Sequence, residues 1–243
     1  MIAENADSTV VSEYTPVYKR ATEYQSEAEL EKAFIAQLEQ QAYERLHITS
    51  EQELIANLRQ QIGKLNDYTF SDSEWNRFFV NFIASPNANI ETKTATIQED
   101  HIKNLTLDDG TIKNIKLIDK TNIHNNHLQV LNQYETEDGA HSNRYDVTVL
   151  VNGLPLVHIE LKRRGVPLQE AFNQINRYQR DSFWVGSGLF EYVQLFVISN
   201  GTLTKYYSNT TRFQHIDELT KQKSKGKKTS NSYEFTSWWA DAN

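Results

Sequence analysis

The chain has 243 residues, no cysteine and a formal net charge of −7. Without cysteine it has no disulfide scaffold, no thiol nucleophile and no thiolate-held metal site, and its apolar runs fall far short of the ~20 residues that cross a bilayer. The acidic N-terminal sequence does not resemble a secretory signal, so we expect a cytoplasmic protein that spans no membrane.

Basic and acidic residues are unevenly distributed along the chain. Residues 1–158 contain 13 basic and 24 acidic side chains, whereas residues 159–243 contain 12 and 8, which gives net charges of −11 and +4. The total charge argues against a nucleic acid partner, but the positive C-terminal part is compatible with a lobe that contacts a polyanion. Chance clustering around a lysine-rich loop would explain the same asymmetry.

The first third of the chain is predicted to be mostly helical. Residues 1–25 show no sustained periodicity, and we expect an irregular arm there. Over residues 26–90, serine precedes glutamate by three positions at three places, which is the pattern of a capping box. Apolar residues at helical spacing follow each box, and the first box predicts a helix over residues 27–41. The pairs are Ser26 with Glu29, Ser50 with Glu53, and Ser71 with Glu74.

Residues 97–210 are predicted to form an α/β core. Alternating apolar residues indicate two strands joined by a turn at 108–110, and a further strand over 128–134. The dipeptide Asn152-Gly153 then separates two β-rich runs and is the strongest short-range hairpin signal in the chain.

The hairpin is followed by a predicted helix and a predicted strand. Pro167 is suited to a first helical turn, and apolar residues on one face extend the helix to about Arg180. A continuous apolar run over 193–198 then indicates a buried strand. This succession of strands, helix and strand is typical of an α/β protein.

Residues 219–232 contain five lysines and almost no apolar side chain, so we expect a solvated loop. The sequence GKKT at 226–229 superficially resembles a phosphate-binding loop. However, Lys221 stands where that motif requires glycine, and the flanking segments do not indicate a strand and a helix. We therefore expect no ATP binding by this chain.

Two acidic residues and a lysine form the candidate catalytic constellation. Asp146 begins the first hairpin strand, and Glu160 and Lys162 lie at the end of the second, where strand alternation places both on one face. Two carboxylates can hold Mg²⁺ and leave coordination positions for water and a phosphate oxygen. The ammonium can orient the attacking water and stabilise charge on the phosphate. The pattern therefore indicates metal-dependent phosphodiester hydrolysis.

The register of the hairpin decides whether these carboxylates meet. A plain two-residue turn would place Asp146 opposite Ile159 and facing away from Glu160, whereas a three-residue loop with a glycine bulge would place it opposite His158 and diagonal to Glu160. We predict the bulged register or an equivalent kink. The alternative is an ordinary hairpin with a surface Glu-Lys pair, but Glu160 follows an almost wholly apolar run, where an unpaired charge is costly.

Further candidates lie on the flanking helices. Gln174 and Tyr178 share a helix face, with Arg177 and Arg180 nearby, and these side chains are candidates for orienting a DNA strand. Routine helix decoration is the alternative interpretation.

Two glutamates and a histidine complete the candidates. In the first predicted helix, Glu27 and Glu31 extend the apolar stripe towards its start, so either can reach the same site. Glu31 is a candidate metal ligand, with a cap or surface role as the alternative. His158 shares the predicted active face, where a lone histidine is more often packed behind the ligands than a ligand itself.

The segments 144–165, 170–178 and 196–201 closely resemble the N-terminal nuclease domain of the restriction (motor) subunit, HsdR, of type I restriction-modification enzymes. The resemblance extends from about Gln25 to the C-terminus. It implies the PD-(D/E)xK nuclease fold, with a central mixed sheet flanked by helices and a helical N-terminal extension. Residues 26–243 would then be the endonuclease domain.

The same resemblance implies roles for the candidate residues. Asp146 and Glu160 would be the metal-binding carboxylates and Lys162 the catalytic lysine. Gln174 and Tyr178 match a Gln-x-x-x-Tyr motif that is shared with RecB-like nucleases. The proline of the "PD" motif is absent, since Tyr145 precedes the aspartate, as is usual within this family.

The implied activity is Mg²⁺-dependent endonucleolytic cleavage of unmodified foreign double-stranded DNA, with Mn²⁺ as a possible substitute. In the family, cleavage follows ATP-driven translocation by motor domains, and the full-length subunit assembles with methyltransferase and specificity subunits. The motor is absent here, so we expect a nuclease fragment that binds no ATP and cleaves weakly or not at all on its own. The alternative is a catalytically silent module that guides DNA or docks within the complex.

Overall fold

The computed structural model describes residues 3–5, 8–10, 26–136, 143–183, 185–210 and 236–239. The first two segments are described as backbone only, and the side chains at 136, 143, 180 and 181 are not described. The lysine-rich segment 219–232 and the side chain of Arg180 therefore lie outside the described residues. In the described part of the chain, no helix has the length and apolar character needed to cross a bilayer.

Helices dominate the N-terminal part of the described chain, as predicted. All three capping boxes are present, with the serine accepting from the N3 backbone and the glutamate accepting from the N-cap backbone. A π-helical turn, Phe79–Ile83, continues the third helix, and the fourth helix was not indicated by the sequence pattern. The α-helices are α1 (Glu27–Gln40), α2 (Glu51–Leu65), α3 (Asp72–Phe78), α4 (Ile90–Gln98) and α5 (Leu168–Asp181).

The strands of the described chain are β1 (Ala3–Asn5), β2 (Ser8–Val10), β3 (Glu44–Leu46), β4 (Ile102–Thr106), β5 (Ile112–Lys116), β6 (Leu128–Thr136), β7 (Asn143–Val151), β8 (Leu154–Leu161), β9 (Leu195–Ser199), β10 (Thr204–Ser208) and β11 (Ser237–Trp239). Seven of them form a mixed central sheet in the order β11-β10-β9-β8-β7-β6-β3, and two further pairs stand apart from it. Within the central sheet, the β3–β6 and β8–β9 pairs are parallel, and the other pairs are antiparallel.

The predicted fold class is confirmed, since the chain is α/β with a mixed sheet flanked by helices, consistent with a PD-(D/E)xK-like core. Three details differ from the sequence expectation. The helical N-terminal part contributes the edge strand β3 to the sheet, and β4 and β5 form a separate two-stranded sheet. Strands β1 and β2 pair with each other inside the segment expected to be irregular.

Each face of the central sheet buries its own apolar cluster. The larger cluster lies between the sheet and the helices α2, α3, α4 and α5. The smaller cluster lies between the sheet and α1, which contributes Ile35 and Leu38 against Val147 and Ile159 of the central strands. Burial of both faces explains why β8 reads as an almost continuous apolar run.

The hairpin of β7 and β8 combines a tight turn with a bulge. Asn152 and Gly153 have φ values of 51° and 83°, as a two-residue type I′ turn requires, so the expected three-residue loop was wrong. The register shifts by one residue farther along the strands, which leaves Leu156 without a partner in the ladder. This shift is the equivalent kink that was predicted.

The bulge sets the faces of the residues beyond it. Val147 pairs with Ile159, so the next cross-strand neighbours are Asp146 and Glu160. Without the shift, Asp146 would lie opposite Ile159. The register therefore places the two acidic residues opposite each other, rather than diagonally as the sequence suggested.

Candidate active site

The ends of β7 and β8 border an open depression of about 290 Å³. Asp146 lies within β7, and Lys162 directly follows β8. Helix α5 and the first turn of α1 provide the remaining lining residues. The residues that line the depression are Glu27, Arg144, Asp146, Lys162, Gln174, Arg177 and Tyr178.

The two candidate metal-binding carboxylates are held differently. Glu160 is fully buried, and its Oε1 accepts a hydrogen bond of 3.1 Å from the Lys162 ammonium. Its Oε2 has no hydrogen-bond partner among the described residues and lies 3.6 Å from Nε2 of His158. The Asp146 carboxylate accepts a hydrogen bond of 2.9 Å from the backbone N–H of Leu161. One buried carboxylate oxygen thus lacks a hydrogen-bond donor among the described residues.

Both carboxyl groups are shifted towards their protonated forms. Burial raises the pKa of Asp146, and the neighbouring Glu160 carboxylate raises it further. Burial also raises the pKa of Glu160, although the charge of the Lys162 ammonium opposes that shift. A cation at this place would stabilise both ionised forms, because it replaces the hydration that burial removes.

Lys162 is buried beside the acidic residues. Its ammonium donates to Oε1 of Glu160 and to the carbonyl of Leu161, each at 3.1 Å, and Oε2 of Glu27 lies 3.8 Å away. Because Glu27 is half exposed, this third contact is the weaker one. The lysine is therefore fixed at the boundary between the buried carboxylate and the open depression.

The residues present fit a hard cation such as Mg²⁺. Mg²⁺ is commonly held by one or two carboxylates and completes its coordination with water and substrate phosphate oxygens. Asp146 and Glu160 provide that pair, and the free Oε2 of Glu160 is a buried acceptor without a donor. No group of three or more histidine, aspartate or glutamate side chains suited to a metal occurs among the residues that the structure describes. A cation would therefore depend on these two carboxylates and on water.

Gln174 and Tyr178 connect α5 to the strand that carries Asp146. The Gln174 amide donates to the Tyr178 hydroxyl, which in turn donates to the backbone carbonyl of Arg144 at 2.7 Å. Tyr178 is buried, whereas Arg177 is exposed. The guanidinium of Arg177 lies 5.7 Å from the centre of the Tyr178 ring. The two motif residues thus fix α5 against β7 at Arg144, which lies two residues before Asp146.

His158 is buried behind the carboxylates. Its Nδ1 lies 3.3 Å from the Thr148 hydroxyl, and Nε2 faces Glu160. Burial lowers the pKa of His158 to about 4, so the ring is neutral near pH 7. It packs edge-on against the rings of Tyr145, Tyr178, Phe183 and Phe196.

The structure separates the two glutamates of α1. Glu27 lines the depression, whereas Glu31 accepts hydrogen bonds from Asn132 Nδ2 at 2.7 Å and Gln133 Nε2 at 3.3 Å. Both oxygens of Glu31 are therefore occupied by amides. The periodicity of the helix correctly placed the two residues on one side of α1, but not which of them reaches the depression.

Arg144 also lines the depression, although no sequence pattern singled it out. It is exposed and provides the carbonyl that Tyr178 binds. Its position two residues before Asp146 in the same strand was the available signal, but a single surface arginine is common in such a strand. With Arg177 it gives the wall of the depression two positive charges.

Comparison with known proteins identifies the family. A family model described as "Type I restriction enzyme R protein N terminus" matches residues 24–215. The endonuclease subunit of the type I restriction enzyme EcoprrI from Escherichia coli is 44% identical over 240 residues, which cover 98% of this chain and 72% of that protein. The endonuclease subunit of SauMSSORF170P from Staphylococcus aureus strain MSSA476 is 39% identical over 191 residues, which cover 76% of this chain and 20% of that protein.

A more distant relative is the putative type I restriction enzyme MjaIXP endonuclease subunit from Methanocaldococcus jannaschii, which is 34% identical over 102 residues. That match covers 40% of this chain and 9% of the relative. The chain thus spans most of the Escherichia coli protein but only about a fifth of the Staphylococcus aureus one. On the family match and these identities, the chain belongs to the family of type I restriction enzyme R protein N-terminal domains.

Proposed function

We propose that this chain is the Mg²⁺-dependent endonuclease domain of a type I restriction enzyme and hydrolyses phosphodiester bonds of double-stranded DNA. The observation that carries the proposal is the contact set at the end of the hairpin. Asp146 and Glu160 are cross-strand neighbours, Lys162 binds Glu160, and one buried oxygen of Glu160 lacks a partner among the described residues.

Each of the three residues has a separate role in this proposal. When bound, a divalent cation supplies Lewis-acid stabilisation of the phosphate and lowers the pKa of an attacking water. Asp146 and Glu160 hold the cation, and the Leu161 N–H fixes the Asp146 carboxylate from the neighbouring strand. Lys162, held by Glu160 and the Leu161 carbonyl, orients the water and stabilises negative charge on the phosphate.

The wall of the depression suits a DNA strand. Arg144 and Arg177 line it and can pair with phosphate oxygens, whereas Gln174 and Tyr178 bind each other and keep the helix in place. Arg180, which follows on α5, is proposed as a further phosphate contact. Contacts of this kind position the backbone without reading the sequence, so we propose that recognition belongs to another subunit.

The longer protein would provide the remaining steps. We propose that its substrate is unmodified foreign DNA, that ATP is bound and hydrolysed outside this chain, and that translocation precedes cleavage. Methyltransferase and specificity subunits would be its partners, and Mn²⁺ would substitute for Mg²⁺. A reaction on invading DNA would take place in the cytoplasm.

Calorimetric titration of this chain with Mn²⁺ tests the metal site directly. We expect the wild type to bind the ion, and Asp146→Asn and Glu160→Gln each to weaken binding on the order of 10- to 100-fold or more. Asp67→Asn is the matched control, since Asp67 has a φ of 46° at the end of α2, a conformation that asparagine tolerates. Unchanged binding in both site variants would exclude this metal site.

Cleavage is best tested in the assembled restriction enzyme. Double-strand breaks and ATP hydrolysis are measured separately for Asp146→Asn, Glu160→Gln and the wild type. Loss of breaks with intact ATP hydrolysis supports the nuclease role. Undiminished cleavage in these variants would leave a docking or DNA-guiding module as the better account of the domain.

A further inference from the structure

The strand that carries Asp146 is distorted at that residue. Strands β6 and β7 pair regularly up to Asn132 with Val147, and again from Tyr134 with Tyr145. The pair between them, Gln133 and Asp146, drops out of the ladder without a shift in register. Gln133 has a φ of 54°, in the left-handed region that residues with a side chain rarely adopt.

The side-chain alternation inverts at the same point. In β7, Val147 belongs to the smaller apolar cluster on the α1 face, whereas Tyr145 belongs to the larger cluster on the opposite face. In β6, Leu131 and Tyr134 both belong to the larger cluster, although a regular strand places residues three apart on opposite faces. Asp146 therefore lies at the point where β7 changes face.

Glu31 binds the residues on either side of this inversion. Its carboxylate is buried on the α1 side of the sheet and accepts from Asn132 Nδ2 at 2.7 Å and from Gln133 Nε2 at 3.3 Å. A buried carboxylate with two side-chain amide donors is an anchor for both residues, with Asn132 the closer donor and the exposed Gln133 the more distant one. The unfavourable conformation of Gln133 is thereby tied to a fixed helix.

We propose that Glu31 is a positioning residue which, through Gln133, maintains the break in β6 and β7 beside Asp146 and so fixes the position of the Asp146 carboxylate at the depression. The proposal rests on the proposed metal-dependent nuclease function and assigns Glu31 a role different from both the candidate ligand role and the cap or surface role considered from the sequence. Residues held in rare backbone conformations persist only where the surroundings determine them, and they concentrate at functional sites. At Gln133, the group that stabilises the rare conformation is the carboxylate of Glu31.

The test uses glycine to separate positioning from ligation. Glycine adopts a φ near 54° without steric cost, so Gln133→Gly removes the need for an anchor at this position. We measure Mn²⁺ affinity by calorimetry and thermal stability for Glu31→Ala, Gln133→Gly and the double variant of this chain. Glu39→Ala, at an exposed position of the same helix, is the matched control.

We expect Glu31→Ala to weaken Mn²⁺ binding on the order of 10-fold, which is typical when a residue that orients a ligand is lost. Adding Gln133→Gly should recover most of that affinity, while Glu39→Ala should leave it at the wild-type value. Thermal stability separates the two roles, because a merely structural role lowers Mn²⁺ affinity only where the variant is unfolded at the assay temperature, whereas positioning lowers it in the folded chain.

Two results would overturn the proposal. If the double variant binds Mn²⁺ no better than Glu31→Ala, Glu31 acts directly on the ion; if Glu31→Ala binds normally, Glu31 does not position Asp146. Asp146→Asn, included in the same series, identifies failure of the proposed function itself. Should this variant bind like the wild type, the metal site is absent, whatever Glu31 does.

Discussion

The Lys162 ammonium lies 3.1 Å from Oε1 of Glu160 at the end of β8, so a fully buried carboxylate has its positive partner two residues further along the chain. The opposite oxygen of Glu160 remains without a hydrogen-bond donor among the described residues. One oxygen of this carboxylate is therefore neutralised, and the other is a buried acceptor that faces the His158 ring without a donor in the described part of the chain.

Replacing Lys162 by methionine should separate metal binding from catalysis. The variant loses the charge that orients water and stabilises the phosphate, so DNA cleavage by the assembled enzyme should fall by about 10²-fold or more. Mn²⁺ affinity of this chain should be retained or increased, because a competing positive charge is removed. Calorimetry and a plasmid cleavage assay measure the two effects.

Lys113→Met is the control for that comparison, since Lys113 lies on the separate β4–β5 sheet with its ammonium 5.1 Å from the Tyr68 ring centre. It should cleave and bind normally. A Lys162→Met variant that cleaves DNA as fast as this control would contradict the role of the lysine.

The stability of the metal-free chain should depend on pH through its two site carboxyls. Their pKa values are raised in the folded chain, above unfolded values of about 4. The stabilisation from their neutral forms is therefore complete below about pH 4 and is lost as pH rises through the folded pKa values. The double variant Asp146→Asn, Glu160→Gln has no ionisable group at these two positions, so its stability should not fall in this way as pH rises.

Urea unfolding in the presence of a chelator, at about pH 5 and about pH 8, measures the difference in unfolding free energy between the wild type and the double variant. The double variant should be more stable than the wild type by a larger margin at the higher pH. Added Mg²⁺ should narrow the margin there by stabilising the wild type. A margin that is equal at both pH values, or larger at the lower one, would show that the site carboxyls do not titrate as proposed.

Tyr178→Phe should weaken the attachment of α5 to β7. The hydroxyl accepts from Gln174 and donates to the Arg144 carbonyl, so its loss leaves a part-buried acceptor unpaired and should cost about 1–3 kcal/mol of unfolding free energy. Cleavage by the assembled enzyme should fall as well, because β7 carries Asp146. Tyr206→Phe on β10 is the control, since the Tyr206 hydroxyl makes no hydrogen bond with the described residues. Equal stability of the two variants would argue against this attachment.

Gly153→Ala should be strongly destabilising. Gly153 has a φ of 83°, and a Cβ there would lie 2.6 Å from the Leu58 Cα. Gly110 has nearly the same φ, 84°, but a Cβ at that position would have no atom within 4 Å. Gly110→Ala should therefore lose only about 1–2 kcal/mol from backbone strain, and Gly153→Ala about 1–3 kcal/mol more from overlap with α2. Chemical denaturation of both variants measures the difference, and equal losses would mean that α2 moves aside without cost.

Local signals in the sequence predicted local structure well. Each capping box needs only four residues, and all three begin a helix where expected. The Asn152-Gly153 turn likewise depends on two residues that accept positive φ values. Strand β3 was missed because it has three residues and its parallel pairing with β6 joins segments that are far apart in the chain, such as Glu44 and Gln129.

The candidate site was predictable in part for the same reason. Strand alternation brings Glu160 and Lys162 to one face without any knowledge of the rest of the fold. The register that adds Asp146 depends on Leu156, whose side chain is buried in the larger apolar cluster and whose backbone is skipped in the pairing of β8 with β7, although its carbonyl accepts from Gln194 N–H at 2.8 Å. Packing across the sheet, rather than the turn, determines this bulge. The left-handed conformation of Gln133 likewise has no signal in its own sequence neighbourhood.

Because Leu156 is one extra residue in β8 relative to β7, the number of extra residues determines whether the two acidic side chains share a face of the sheet. Asp146 faces Glu160 only while β8 has an odd number of residues more than β7 between the turn and the site. Each single-residue change in one strand moves its side chains to the opposite face. A hairpin lengthened or shortened by two residues in one strand would keep both acids on one face, and a change of one residue would send them to opposite faces. The tolerance of this hairpin to insertion and deletion should therefore alternate with length, independently of the amino acids added.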